Sequence, residues 1–237
     1  MGEEMKRTVI AIVNQKGGSG KSTTAVLLAK SFADAGKTVL LVDCDPQGGS
    51  SELFGARHDI GLFDMLMGED LAPCVHRVTD SLSIVPADFR LDAIFVTANP
   101  FALRALTKTA TADCIVFDTP PTLQGLTRAA ILAADRVLIP SEVSETSFGA
   151  TGYTIEQVKA LDKTPEVMLS GYRQPAELKG TARALSEKYT AAFGPYLVGT
   201  LPRSLTAAKM ATADGKWSAK TRETIEQPLL ALYGGAK

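Results

Sequence analysis

The sequence predicts a doubly wound α/β fold: a mostly parallel sheet with helices on both faces. Three observations predict it. Apolar runs of strand length alternate with helix-patterned segments along the chain. A glycine-rich turn joins the first apolar run to the first helical pattern and ends in Lys21-Ser22. Two later apolar runs close on aspartates, Asp43-Cys44-Asp45 and Asp118, at strand ends where open parallel sheets gather ligands.

Strands are expected at Val9–Val13, Thr38–Val42, Leu82–Val85, Cys114–Phe117, Arg136–Ile139, Val167–Ser170 and Tyr196–Gly199. The first is apolar throughout, as a strand covered on both faces must be. The fifth is expected to leave the sheet at Pro140. Helices are expected at Thr23–Ala35, closed by Gly36, and at Asp88–Thr107, Leu123–Ala133, Phe148–Ala160, Ala176–Ala192, Leu205–Ala211 and Thr224–Leu232. A short amphipathic helix is expected within Gly61–Gly68, and Pro228 is expected to interrupt the last helix. There is no internal repeat and no Pro/Ser-rich linker, so 237 residues suit a single domain over 1–237.

Apolar residues make up 45% and charged residues 22%, ordinary for a globular protein. Cys44, Cys74 and Cys114 show no metal or redox spacing, and only His58 and His76 could join them, which argues against zinc. The start lacks the apolar core of a signal peptide, and no apolar run approaches about 20 residues, so a cytoplasmic location without a membrane span is expected. Charge is uneven. Through residue 169 there are 15 Lys and Arg against 21 Asp and Glu; beyond it there are 10 against 5. That imbalance points to an anionic partner for the C-terminal third, and sequence-independent DNA binding through phosphate is the expectation. Its candidate contacts are Lys179, Arg183, Arg203, Lys209, Lys216, Lys220 and Arg222.

The turn Lys16-Gly17-Gly18-Ser19-Gly20-Lys21-Ser22-Thr23 carries the chemistry of a phosphate-binding loop. Glycines let backbone N–H groups turn inward around phosphate oxygens, and the helix start adds partial positive charge. Lys21 then reaches the β- and γ-phosphates of ATP, and the Ser22 hydroxyl ligates Mg²⁺. Asp43 and Asp45, two apart at a strand end, fall on one side of the chain. Asp118 closes an apolar strand and would hold the metal.

With a second lysine, Lys16, opening the loop, the motif resembles the deviant Walker A box of the ParA/MinD group of P-loop ATPases. Asp43-Cys44-Asp45-Pro46-Gln47-Gly48 and Asp118-Thr119-Pro120-Pro121 resemble two further segments of that group. The resemblance implies an Mg²⁺-dependent ATPase that forms a sandwich homodimer, with Lys16 reaching the partner's phosphates. It implies that Asp45 orients the attacking water, that Asp43 supports the metal shell, and that Pro202 and Arg203 flank the adenine. It suits the small ParA type, since a first strand near residue 8 leaves no room for an N-terminal helix-turn-helix. It further implies nucleoid association, a ParB-like or other cargo adaptor as partner, and a plasmid, chromosome or carboxysome-like body as cargo. A MinD-like membrane ATPase is the alternative; that class ends in a basic amphipathic helix, whereas Pro228 and Gly234-Gly235 break the end of this chain. An iron–sulfur relative would need paired interface cysteines, which Cys44, Cys74 and Cys114 do not supply.

Overall fold

The structure is a computed structural model and describes residues 7–56, 60–94, 99, 101–201 and 216–232. In chain order the elements are β1 (Thr8–Ile12), α1 (Lys21–Asp34), β2 (Val39–Asp43), α2 (Gly49–Leu53), α3 (Leu62–Leu66), β3 (His76–Arg77), β4 (Leu82–Val85), α4 (Leu91–Ile94) and α5 (Ala102–Thr109). Then follow β5 (Cys114–Asp118), α6 (Gly125–Ala133), β6 (Arg136–Glu142), α7 (Glu145–Lys159), β7 (Pro165–Ser170), α8 (Gly180–Phe193) and β8 (Leu197–Leu201). Ala219–Thr221, a π-helical turn at Arg222–Glu226, and Gln227–Leu232 run on without a break and together form α9.

The strands form one sheet in the order β3-β4-β2-β5-β1-β6-β7-β8, parallel except for β3 against β4. This is the doubly wound arrangement expected from the alternation of apolar and helical segments. Side chains alternate across the pleat, so each buried strand feeds two cores. Ala11, Val42, Ile115 and Phe117 face a core closed by Leu103, Leu126, Ile155, Tyr189 and Phe193 of α5 to α8. Ile10, Ile12, Leu41 and Val116 face the other, closed by Leu27, Leu28 and Phe32 of α1 and by Ile225 and Leu229 of α9. Each fully buried Leu, Ile or Phe contributes about 1.5–3 kcal/mol over leaving it in water.

Several expectations change. The helix expected over Asp88–Thr107 is two helices: α5 starts afresh where Asn99 accepts the Phe101 amide through its side chain at 2.9 Å and the Ala102 amide through its carbonyl at 2.9 Å. Pro100 follows Asn99 and disfavours a helical backbone there. Strand β6 continues through Pro140 to Glu142, because β1 pairs only as far as Leu138. Beyond that point Pro140 lacks an N–H that no neighbour needs, and its carbonyl takes the Asn14 side-chain amide at 2.9 Å. Helix α7 begins at Glu145 rather than Phe148, since Ser144 caps it by accepting the Ser147 amide. Pro228 does not interrupt α9; the preceding turn widens to a π-turn, which absorbs the missing donor. The helix α2 and the two-residue strand β3 are additions, and the segment Leu205–Ala211 lies outside the described residues.

The loop leaving β4 is clamped. Arg90 forks onto Asp64 at 2.8 Å and Asp88 at 2.7 Å, and its guanidinium lies 4.8 Å from the Phe63 ring centre. The Arg90 hydrogen bond holds the Asp88 carboxyl below its usual range. A carboxyl depressed by folding adds stability above its unfolded value, and that stability is lost as pH falls through the folded value. Asp88→Asn is therefore expected to lower the melting temperature more at pH 7 than at about pH 2. Thermal melts at both values check this; an equal loss at both would mean the carboxylate charge is irrelevant.

Candidate nucleotide-binding site

The site lies at the carboxyl ends of β1, β2 and β5. Residues 13–20 leave β1 and wrap back into α1, with left-handed backbones at Gly18 (φ 71°) and Gly20 (φ 87°) that favour glycine. Gly20 caps α1 with no side-chain hydrogen bond, so no cap side chain competes with an anion for the first-turn amides of this 14-residue helix. Asn14 stiffens the loop by accepting the Lys16 amide at 2.9 Å while donating to Pro140. Ser19 is buried with a hydroxyl that has no partner among the described residues. Gly17 and Gly18 are exposed, and Ser22 and Thr23 stand half-buried on the first turn.

Lys21 is buried under the loop and donates to the Lys16 carbonyl at 3.2 Å. Burial depresses its pKa, and the charges of Asp118 and Asp45 push back. Lys16 turns the other way, donating to Thr146 Oγ1 at 2.9 Å and Ser147 Oγ at 2.7 Å on α7.

Asp43 and Asp118 sit opposite each other in the β2–β5 register, both with no exposed surface. Asp118 accepts the Ser50 hydroxyl at 2.5 Å on one oxygen, has Ser22 beside it, and leaves its other oxygen without a partner among the described residues. A buried carboxylate with one bare oxygen next to a serine hydroxyl fits a hard divalent cation such as Mg²⁺. Among the described residues no group of three or more His, Cys, Asp and Glu could hold a metal, so such an ion would complete its shell with phosphate oxygens and water. Asp43 is fully used within the protein: its oxygens accept the Ser51 amide and hydroxyl, each at 2.8 Å, and the Asp45 amide at 3.1 Å. It thus supports Asp45 and α2 rather than offering a free oxygen for direct metal contact. Burial pushes both carboxyls up, and the charge of Asp118 adds to the push on Asp43. A cation held at Asp118 would relieve that repulsion.

Asp45 is half-buried and accepts the Gln47 amide at 3.0 Å, a short turn just past the end of β2. The turn packs tightly on α1: a Cβ on Gly49 would come within 2.8 Å of Ser22 Oγ. Thr119, just past Asp118, donates to the Ile12 carbonyl at 2.8 Å and ties that exit to β1.

Four side chains here were not singled out in the sequence: Asn14, Ser50, Ser51 and Thr119. A hydroxyl pair directly after Gly48-Gly49 was the available signal for two of them. The candidate DNA contacts are not gathered on one face. Lys179 caps α8 and is exposed, Arg183 pairs with Glu187 at 2.8 Å, Lys216 and Lys220 are exposed, and Arg222 pairs with Glu226 at 2.8 Å. Helices α8 and α9 pack on opposite faces of the sheet, on either side of the β8 edge. Pro202, Arg203 and Lys209 lie outside the described residues.

An open glycine loop on a helix start, a buried lysine beneath it and a bare carboxylate beside a serine define the phosphate site of a P-loop protein. A family profile described as an AAA domain matches residues 7–170. The chromosome-partitioning ATPase Soj of Thermus thermophilus is 38% identical over 173 residues, 72% of this chain and 66% of that protein. The chromosome partitioning protein ParA of Caulobacter vibrioides is 31% identical over 196 residues, 76% of this chain and 70% of that one. Among solved structures, an ATP complex of a McdA variant from Cyanothece superposes with a TM-score of 0.83 at 20% identity, covering 97% and 96% of the two chains. The chain belongs to this AAA-domain family of P-loop proteins, as a ParA-type partition ATPase.

Proposed function

We propose that this protein is a positioning ATPase: it binds ATP and Mg²⁺, closes into a homodimer, holds DNA without regard to sequence, and is released when a cargo-bound adaptor stimulates hydrolysis. The observation that carries this is the two-lysine loop set against Asp45 and Asp118. Lys21 lies beneath the loop and neutralises β- and γ-phosphate charge, while the free amides of α1 take phosphate oxygens. Ser22 and Asp118 would hold Mg²⁺, which when bound screens phosphate charge as the bond to the leaving group breaks. Asp45 positions water for in-line attack, the one role the reaction needs from a side chain beyond charge neutralisation. Lys16, ahead of the loop and on its outer side, is the group that reaches a second protomer's phosphates. The relatives' names concern chromosomes and, for Cyanothece McdA, an ATP complex; for this chain, a replicon or a protein body borne by a ParB-like adaptor is the proposed cargo. The location is cytoplasmic and nucleoid-associated, without stable membrane attachment. Among the described residues no helix is long and apolar enough to cross a membrane.

DNA binding is assigned to the basic C-terminal third, where Lys179, Lys216 and Lys220 are exposed and Arg183 and Arg222 are partly offset by glutamates. A dimer doubles this charge, so binding rises with dimerisation. Mobility shift on random duplex DNA is expected to give binding with ATP and little with ADP. Changing Lys179, Lys216 and Lys220 together to Glu is expected to weaken it at least tenfold and to flatten its salt dependence. DNA binding indifferent to nucleotide and to charge reversal would overturn this reading.

A further inference from the structure

Lys16 sits in an electrostatically poor place. Its ammonium rests on the second and third residues of α7, Thr146 and Ser147, at the end of a 15-residue helix that carries partial positive charge. Both partners are neutral hydroxyls. The carboxylate nearest in sequence, Glu145, is engaged by Lys188 at 2.8 Å. The hydroxyls themselves are held: Ser144 Oγ lies 2.8 Å from Ser147 Oγ and 3.3 Å from Thr146 Oγ1, and it accepts the Ser147 amide. The phosphate loop is tied to β6 through Asn14 and the Pro140 carbonyl, and to α7 again through the Gln15 amide and Thr154 Oγ1. Ser147 and Thr154 are buried without exposed surface.

We infer that Thr146 and Ser147 are positioning residues that latch Lys16 within its own protomer, so that the start of α7 sets how readily ATP drives dimerisation. This rests on the proposed role of Lys16 across the dimer. Two neutral acceptors hold the lysine in a defined direction at modest net strength. A phosphate of the partner's nucleotide offers bonds in which donor and acceptor are both charged, roughly twice as strong. The latch therefore yields to a partner carrying ATP and holds otherwise. Two latches open per dimer, so weakening them acts twice on the dimer constant.

The test uses full-length protein in an Asp45→Ala background with ATP, reading the dimer dissociation constant by sedimentation across protein concentration. Ser147→Ala removes one latch bond and leaves the Ser144 cap on the Ser147 amide in place; it is expected to tighten the dimer about tenfold. Ser147→Thr, which keeps the hydroxyl, is expected to stay within about twofold of the parent. Thr146→Glu sets a carboxylate against Lys16 at an exposed helix-start position that favours acids, and is expected to weaken the dimer about tenfold or more. A damaged fold would weaken the dimer in every variant and would not tighten it in Ser147→Ala. Weaker dimerisation by Ser147→Ala, or a constant unmoved by both Ser147→Ala and Thr146→Glu, would reject the latch while leaving the dimer intact. A parent that does not dimerise with ATP would reject the dimer reading itself, and the latch with it.

Discussion

Replacing Lys21 with alanine is expected to lower ATP affinity by about 10²-fold or more. Its ammonium is buried beneath the loop, where the proposed role sets it against the β- and γ-phosphates. Charge-assisted hydrogen bonds contribute about 1.5–3 kcal/mol each, and every 1.4 kcal/mol is a factor of ten. Losing the contacts to two phosphates thus reaches that range. The fold should survive, because removing a buried cation relieves a burial cost that already depresses its pKa. Titration with a fluorescent ATP analogue, with a thermal melt as control, measures this. An affinity within about threefold of the parent in a folded protein would remove Lys21 from the phosphate site.

Replacing Asp45 with alanine is expected to leave ATP binding near the parent level and to cut turnover by about 10²–10⁴-fold, the range for a positioned general base. The distinction follows from position. Asp45 is half-buried with one oxygen tied to the Gln47 amide, whereas the proposed ground-state contacts belong to the loop, Lys21 and the α1 amides. The neighbouring Asp43→Ala is expected to behave differently. It would leave the Ser51 hydroxyl and two amides without their acceptor, so it should lower stability by several kcal/mol as well as turnover. Phosphate release measured at saturating ATP, beside a thermal melt, separates the two. Normal turnover by the Asp45→Ala protein would give the water-orienting role to another residue.

The central sheet was legible because its strands are short, apolar and closed by turn residues, so β1, β2, β4 and β5 emerge within a residue or so of their expected bounds. The loop and Asp118 were legible because glycine, lysine and aspartate stand at fixed offsets from those strands. What escaped the sequence depends on contacts between distant residues. Pro140 reads as a strand exit until it is known that β1 stops at Leu138. Pro228 reads as a breaker until the π-turn before it is seen. The hydroxyls that hold Asp118 and Asp43 follow the glycines of the β2 loop and look like ordinary turn residues, and the partners of Lys16 lie 130 and 131 residues away from it. Surface charge was legible as a sum over the last third but not as a place, since helices α8 and α9 put it on opposite faces of the sheet.

Sedimentation velocity of the Asp45→Ala protein with Mg²⁺ and either ATP or ADP tests the central claim most directly. An ATP-gated dimer requires one sedimenting species at dimer mass with ATP and one at monomer mass with ADP, with Lys16→Ala shifting the ATP sample toward monomer. The same species with both nucleotides, unchanged by Lys16→Ala, would contradict it.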